Sequence, residues 1–186
     1  VMNAAQDFAE DKLGKGVVVA NDVPGFVANR VGTQTMNEVM YRAEKQGLSI
    51  TETDALTGRS IGRPSLGTYG LVDLVGLDIA VTVTKGLQQV PDEKEFFHDT
   101  ELSEKLVENG ALGRKTKQGF YKKEKKSILV YDPESNEYVE QSQPAFEILG
   151  KFSKDLKVNM DIIFNADDKA GLFMWETLRN NFYYSA

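Results

Sequence analysis

Apolar residues recur at the three- and four-residue spacing of helices along most of the chain, and glycines and prolines separate the runs. This spacing predicts a helix over residues 1–13, which Gly14 ends, and a longer helix over about 25–46. Between them, the apolar run 17–20 predicts a short buried strand. A single strand after a helix has no sheet to join, so we expect the chain to begin at the trailing edge of an upstream domain.

The helical pattern continues beyond this region. Residues 51–54, Thr-Glu-Thr-Asp, form a capping pattern that predicts the start of a short helix. One helix of several turns, ending near Pro91, is predicted from apolar residues at four-residue spacing: Leu71, Val75, Ile79, Val83 and Leu87. Further helices are predicted over 101–108, which Asn109-Gly110 ends, from near Pro144, and after Asp167-Asp168.

Residues 119–140 have a different pattern. Aromatic and β-branched residues flank Asp132-Pro133 and Asn136, which favours short strands and a turn. The sequence therefore predicts a mainly α fold, a helical bundle with a small β-hairpin.

The composition excludes several classes of protein. The 186 residues contain no cysteine, which excludes disulfides, thiolate metal sites and cysteine nucleophiles. It also favours a reducing compartment, with the cytoplasm as the default. Subtracting 28 acidic from 22 basic residues gives a net charge of −6, and no basic stripe is evident, so we expect no nucleic-acid partner. No stretch approaches the roughly twenty apolar residues of a membrane span.

Asn29 is the main candidate for chemistry. Pro24 suits the entry to a helix because it has no N–H to lose, and Asp22 is placed to cap that helix. The face on which Asn29 lies continues through Thr33, Met36 and Met40, so we expect Asn29 to point inward. A buried amide needs hydrogen-bond partners, so Asn29 either serves a packing network or binds a polar ligand.

Two other features carry no predicted chemistry. The segment Gly14-Lys15-Gly16 precedes a predicted strand, whereas a dinucleotide-binding glycine loop follows a strand and opens a helix. His98 is the only histidine, and we interpret it as a surface or capping residue rather than a base. We predict no metal site.

Four segments together resemble the C-terminal domain of L-3-hydroxyacyl-CoA dehydrogenases. They are VPGFVANRV at 23–31, GRPSLG at 62–67, GLVDLVGLD at 70–78 and GRKTKQGFY at 113–121. The resemblance covers about residues 3–122, and residues 166–186 more loosely. It implies the helical fold of that domain and a homodimer.

The resemblance also implies a reaction. The family oxidises the 3-hydroxyl of an acyl-CoA thioester with NAD, using a His base oriented by a Glu, both on an upstream nucleotide-binding domain. Asn29 falls on the family's Asn in the Asn-Arg pair, which implies a catalytic and substrate-binding role beside the substrate carbonyl and that His. An amide can donate to an oxygen that gains negative charge during hydride transfer.

Lys115 is the second residue to which the resemblance gives a role, because the family's Lys-Thr before Gly-Phe-Tyr reaches toward the bound dinucleotide. Lys117 departs from the family, which usually has Gly there, so Lys115 either binds the cofactor or belongs to a solvated surface turn. Four further lysines either meet CoA phosphates or form a solvated face: Lys122, Lys123, Lys125 and Lys126.

Other matching residues are interpreted as structural. Gly62, Pro64 and Gly67 fit backbone geometry, and Asp73 fits a capping or network carboxylate. The three methionines Met36, Met40 and Met174 fit the core better than an acyl-binding wall.

The last helix resembles the first, since residues 32–43 and 175–186 align with coincident Asn, Tyr and Ala. Larger bifunctional members of the family carry the helical domain twice in tandem. We therefore expect these segments: 1–20, the end of a missing NAD-binding domain; 21–123, the helical substrate and dimerisation domain; 124–165, a hairpin and connection; 166–186, the start of a truncated second repeat.

Two functions remain open at this point. The chain is either the C-terminal portion of an NAD-dependent 3-hydroxyacyl-CoA dehydrogenase acting in fatty-acid β-oxidation, inactive when isolated, or a non-catalytic helical self-association module. The acyl-chain length, the catalytic His and Glu, and the presence of a hydratase domain do not follow from these residues.

Overall fold

The computed structural model describes residues 1–125 and 127–186, and it is mainly helical. The α-helices are α1 (Met2–Asp7, continued as a π-helix over Phe8–Lys12), α2 (Ala28–Lys45), α3 (Ile50–Leu56), α4 (Gly67–Val75), α5 (Leu77–Leu87), α6 (Glu101–Glu108), α7 (Glu147–Lys151), α8 (Leu156–Phe164) and α9 (Lys169–Ser185). Single 3₁₀ turns cover Arg59–Ile61, Lys94–Phe96 and Arg114–Thr116. The strands are β1 (Tyr121–Glu124), β2 (Ser127–Asp132) and β3 (Glu137–Glu140). The predicted mainly α fold with a small β element is confirmed.

The two longest helices, α2 and α9, pack against each other in opposite directions. Arg42 Nη1 lies 2.8 Å from Glu176 Oε2, while Asn180 Nδ2 donates to Glu38 Oε1 at 2.7 Å. The residue number in α2 decreases from 42 to 38 while the number of its partner in α9 increases from 176 to 180, so the helices are antiparallel. The aligned segments of the sequence therefore lie side by side.

The hydrophobic core has two parts. One part lies between α2, α3 and the C-terminal helices, and it contains the fully buried Leu56, Phe173 and Met174. The other lies between α4, α5, α6 and the sheet around Val72, Leu77 and Phe120. Met36 and Met40 are partly buried against this second part. The interpretation as a core residue is thus confirmed for Met174, whereas Met36 and Met40 pack against the core and are only partly buried.

The sheet is a three-stranded antiparallel meander in the order β1-β2-β3. Tyr121 pairs with Val130, and Val130 pairs with Val139. The predicted hairpin is present, and an additional strand extends it.

Several local signals begin or end helices close to where the sequence predicted. Helix α6 covers Glu101–Glu108, and Gly110 after it has a φ of 73°. Asp168 caps α9 by accepting a hydrogen bond from the Gly171 N–H at 2.7 Å. The α3 cap differs slightly, because Ser49 and Glu52 form the capping box instead of Thr51 and Asp54.

Two predicted elements are wrong. Residues 17–20 form no strand and are largely exposed, because each of the described strands lies within 121–140 and none pairs with them. The single helix predicted from Leu71 to about Pro91 is two helices, since Gly76 breaks it with a φ of 107° and a ψ of 126°. As a result Val75 and Ile79 are exposed, and Val72, Leu77 and Val81 are buried instead.

A search of the described residues for a helix that is both long and apolar enough to cross a lipid bilayer found none.

Candidate functional site

Asn29 is the second residue of α2 and is exposed, so the expectation that it points inward is wrong. The helical face predicted from its spacing becomes buried one turn later, at Thr33. Asp22 does not cap α2: the N-cap residue is Val27, and no side chain caps the helix. The Asn29 amide makes no hydrogen bond within residues 1–125 and 127–186. It is therefore available to a ligand or another protein surface.

The start of α2 carries additional donors. The first N–H groups of a helix lack intrahelical partners, and the aligned peptide dipoles place a partial positive charge there. The chain reaches this point through Gly25 and Phe26, whose φ angles are 78° and 48°. Phe26 and Val27 are 61% and 48% exposed, which places an apolar surface beside Asn29.

Arg30, next to Asn29, is held in place by a network. Its guanidinium pairs with the Glu93 carboxylate, and the hydroxyl of Tyr184 donates to the same carboxylate at 2.7 Å. The Tyr184 ring also packs edge-on against Phe97, at 5.8 Å between centroids. The N-terminal turn of α2 is thus tied to the loop after α5 and to the end of α9.

Lys115 lies in the Arg114–Thr116 turn and faces the junction of α4 and α5. Its Nζ forms an ion pair with Asp78, the second residue of α5, and the side chains are 44% and 38% exposed. The hydrogen bond from Lys115 lowers the pKa of Asp78. No hydrogen bond joins Lys115 to Asn29 in the described part of the chain. The two predicted site residues are therefore not brought into direct contact.

Two hydrogen-bonded carboxylates lie near this turn, the buried Asp73 and the partly buried Asp54, and the sequence had indicated only Asp73 as a network carboxylate. Asp73 accepts hydrogen bonds from the N–H groups of Phe120 and Tyr121, at 2.8 and 2.9 Å, which confirms it as a network carboxylate. Asp54 accepts from the Tyr121 hydroxyl at 2.8 Å and from the N–H groups of Tyr69 and Gly70. In the sequence Asp54 stood only as part of a capping pattern, and nothing local marks its burial.

Burial dominates the electrostatics of this pair. Desolvation raises the pKa of Asp54 to about 7, although its three hydrogen bonds favour the ionised form. Desolvation likewise raises the pKa of Asp73 to about 6, against the two N–H donors. The same burial, together with the Asp54 charge, raises the pKa of Tyr121. Burial therefore raises the pKa values of both carboxyl groups toward neutral pH.

His98 has a structural position that agrees with its interpretation as a non-catalytic residue. Its ring stacks on Tyr41 with 3.6 Å between centroids, and its Nε2 lies 3.0 Å from Glu38 Oε2. Its backbone N–H donates to Asn37 Oδ1 at 2.7 Å, and its carbonyl accepts from Asn37 Nδ2. These contacts fasten the loop before α6 onto α2.

The lysines of the sheet differ from one another. Lys122 Nζ lies 5.5 Å from the centroid of the Tyr138 ring, whereas Lys123 and Lys125 are exposed. Lys126 lies outside the described residues. Over those residues, no group of three or more His, Asp or Glu side chains is arranged to hold a metal ion.

Comparison with known proteins identifies a family to which the chain is similar. The model of the family described as "3-hydroxyacyl-CoA dehydrogenase, C-terminal domain" matches residues 25–123. This range contains Asn29, Lys115 and the two carboxylates Asp54 and Asp73.

Two curated relatives are similar over most of the chain. A probable 3-hydroxyacyl-CoA dehydrogenase of Bacillus subtilis is 39% identical over 184 residues, which is 96% of this chain and 23% of the relative. A probable 3-hydroxyacyl-CoA dehydrogenase of Deinococcus radiodurans is 48% identical over 125 residues, 67% of this chain and 36% of the relative. The chain thus spans much less than two thirds of the length of these relatives.

A solved structure has a similar fold. The crystal structure of (S)-3-hydroxybutyryl-CoA dehydrogenase from Ralstonia eutropha superposes with a TM-score of 0.57 and 30% identity, covering 66% of this chain and 42% of that one. A putative fatty acid oxidation complex trifunctional enzyme of Rickettsia prowazekii is 32% identical over 66% of this chain and 18% of its own length.

Proposed function

Because the chain belongs to the family of 3-hydroxyacyl-CoA dehydrogenase C-terminal domains, we propose that it is the C-terminal portion of an NAD-dependent enzyme of fatty-acid β-oxidation. This enzyme would oxidise (S)-3-hydroxyacyl-CoA to 3-oxoacyl-CoA. The observation that carries the proposal is the position of Asn29, an exposed amide with no described partner, inside the segment that matches the family.

Asn29 would bind the oxygen of the substrate. As the carbon that bears the 3-hydroxyl gives up hydride, its oxygen becomes a carbonyl and passes through a stage with increased negative charge. The Asn29 Nδ2 can donate to that oxygen without any change of its own protonation. The N-terminal end of α2 would add a favourable field, because Asn29 lies in the first turn of an 18-residue helix.

NAD would accept the hydride. Most of the contacts to NAD would come from the nucleotide-binding domain and not from the residues of this chain. The segment 14–16 does not open a helix, so it does not fit a phosphate loop. Lys115 is half-exposed and already paired with Asp78, so it fits an edge contact to a phosphate or ribose. The catalytic base would likewise lie outside this chain. His98 does not fit that role, because its Nε2 is hydrogen-bonded to Glu38.

An apolar surface beside Lys115 supports a covering domain. Leu74, Val75 and Ile79 flank the Gly76 break and are 52%, 41% and 49% exposed. Exposed apolar groups of this size are commonly covered by another domain or subunit. We propose that this surface and the Asn29 end of α2 face the nucleotide-binding domain.

The packing of α2 on α9 supports the start of a second repeat at about residue 166. Two copies of one helix related by a two-fold axis pack antiparallel and use the same face. Asn180, which bonds to Glu38, aligns with Asn37, and Asn181, which bonds to Gln34, aligns with Glu38, so aligned positions of both helices lie at their shared interface. The homodimer and the cytoplasmic location stay predictions; for the dimer, light scattering should give twice the 20.7 kDa mass of the chain.

The deciding experiment measures NAD-dependent oxidation of 3-hydroxybutyryl-CoA by the longest polypeptide that contains this chain. Asn29→Ala should lower kcat by about 10²- to 10³-fold, as removal of one such donor does elsewhere. Its melting temperature should not change, because the side chain is exposed and unpartnered. Asn21→Ala is the matched control, an exposed asparagine eight residues earlier.

An unchanged kcat in Asn29→Ala would remove Asn29 from the site and leave only the family assignment. The isolated 186-residue chain should show no turnover. Turnover by it would contradict the proposal that base and cofactor site lie elsewhere. A chain that self-associates, while the longer polypeptide has no dehydrogenase activity, would favour the non-catalytic module.

A further inference from the structure

A cavity of about 560 Å³ lies beside the Arg114–Thr116 turn, and Arg114 of that turn lines it. Its rim carries three cations, Arg114, Lys117 and Lys123, and it is called here the basic cavity. Its volume is within the range of small-molecule sites. Lys115 does not line it, so one short turn presents cations to two different places.

The rim cations form no ion pairs in the described residues, although the charge of Arg114 acts on Asp73 and favours its ionised form. Within the described residues, none of Arg114, Lys117 and Lys123 lies within 4.0 Å of a carboxylate oxygen, although the chain has a net charge of −6. Asp73 is the only carboxylate of the lining, and it is buried and occupied by two backbone N–H groups. Three unpaired cations around one concave surface favour an anionic ligand.

The turn that presents Arg114 and Lys117 is rigid. The Thr116 hydroxyl accepts from the Leu112 N–H at 2.9 Å and lies 3.0 Å from the Gln118 carbonyl. The Gly113 N–H donates to the same carbonyl at 2.7 Å. The backbone that carries these cations therefore needs little ordering when a ligand binds.

Lys117 occupies a conformation that normally selects glycine. Its φ and ψ are 63° and 10°, the left-handed region, where a Cβ is unfavourable. A residue kept in such a region is a reason to look for a function. Here the side chain gained by having lysine instead of glycine reaches the basic cavity.

The lining of the basic cavity also includes apolar side chains and an aromatic ring. These are Leu66, Ile128 and the ring of Tyr121, and the Tyr121 hydroxyl is fixed by Asp54. Aromatic rings stack on nucleobases, while Arg and Lys bind phosphates. We propose that the basic cavity binds a phosphorylated nucleotide, with its phosphates on Arg114, Lys117 and Lys123 and its base against Tyr121.

Calorimetric titration of the 186-residue chain tests this proposal. The probes are adenosine 3′,5′-bisphosphate, adenosine and inorganic phosphate. The bisphosphate should bind more tightly than either part alone, and added salt should weaken it. Lys117→Gly should weaken it at least about tenfold, because a charge-assisted hydrogen bond is lost.

Lys125→Gly is the matched control. Lys125 is also an exposed lysine with a positive φ, 50°, and it does not line the basic cavity. Both variants relieve the same strain and remove the same charge, so their melting temperatures should shift alike. The control should bind the bisphosphate within about twofold of the unmodified chain, since screened surface charges contribute little.

Equal weakening by the two variants, or absence of bisphosphate binding in a folded chain, would overturn the proposal. Free CoA then identifies the source of the nucleotide, an arm that rests on the proposed function. If CoA binds and Lys117→Gly weakens its binding by the same factor, the ligand is the nucleotide end of CoA. If the bisphosphate binds and CoA does not, the ligand is a free nucleotide. Neither result depends on the Asn29 experiment, so the two proposals can fail separately.

Discussion

The hydroxyl of Tyr121 donates a hydrogen bond of 2.8 Å to Oδ2 of Asp54, and so joins the first strand to the end of α3. The backbone N–H of Tyr121 donates to Asp73 on α4 at 2.9 Å. One residue thereby connects the buried Asp73 and the partly buried Asp54, which come from different helices. Through Asp73 and Tyr121, this connection joins two of the segments that resemble the family, 70–78 and 113–121.

The first prediction concerns pH and Asp54. Burial raises the pKa of Asp54 to about 7 from its ordinary value near 4, so the native state holds more protons than the unfolded state between these values. The free energy of unfolding should therefore fall as the pH rises from about 4 to 7. In Asp54→Asn this part of the slope should disappear, although overall stability falls because the amide N–H groups oppose the Gly70 N–H.

Thermal melts from pH 4 to 8 measure this slope. Asp161→Asn, an exposed aspartate on α8, is the control and should keep the slope of the unmodified chain. An unaltered slope in Asp54→Asn would mean that Asp54 is ionised throughout this range.

Glu38 should give the opposite pH dependence. Burial disfavours its charge, but hydrogen bonds from His98, Arg42 and Asn180 outweigh burial and lower its pKa to about 2. The stabilisation is complete above its ordinary pKa near 4.3 and is lost as the pH falls toward 2. Glu38→Gln should thus destabilise the chain at pH 7 by about 1–3 kcal/mol, and the difference should shrink at low pH.

Urea unfolding at pH 7 and at pH 3 checks the Glu38 prediction. Glu44→Gln changes an exposed glutamate of the same helix and should have little effect. A constant difference between Glu38→Gln and the unmodified chain at both values would argue against the ionised network.

Local chemistry accounts for the parts of the fold that the sequence predicted. Asn109-Gly110 ends α6, and Asp168 caps α9, because each signal acts on its own neighbouring backbone. The strand at 17–20 failed because a strand requires a partner, and partners are not a local property. The break at Gly76 was equally invisible, since a glycine also fits inside a closely packed helix.

The site was predictable as a set of residues and not as a geometry. The motif around Asn29 identified the family, yet whether Asn29 is buried depends on where α2 begins relative to the core. Asp54 is 19 residues from Asp73, and only the tertiary fold brings both to Tyr121. Lys117 carried a usable signal, because it replaces the glycine that its conformation favours.

Two helical glycines should respond to alanine in opposite directions. A Cβ at Gly86 in α5 meets no heavy atom within 4 Å, so Gly86→Ala should stabilise the chain by about 0.4–1 kcal/mol through helix propensity and unfolded-state entropy. A Cβ at Gly171 in α9 would overlap the Cβ of Ala166. The Cβ of Ala166 is attached directly to the backbone, so it cannot move aside without a shift of the chain. Gly171→Ala should therefore destabilise it by about 1–3 kcal/mol. Chemical denaturation of both variants measures the difference, and stabilisation by both would show that the segment before α9 moves freely.

The last prediction tests whether α9 is part of the core or an appendage. Phe173 is fully buried between α2, α3 and the C-terminal helices, whereas its neighbour Leu172 is 47% exposed. Phe173→Ala should cost about 3–5 kcal/mol, because it removes a large side chain from a packed interior and leaves a cavity. Leu172→Ala removes an apolar side chain from the same turn and should cost less than about 1 kcal/mol. If urea unfolding gives similar small losses for both variants, α9 does not fold with α2, and the antiparallel pair that supports the second repeat does not exist in solution.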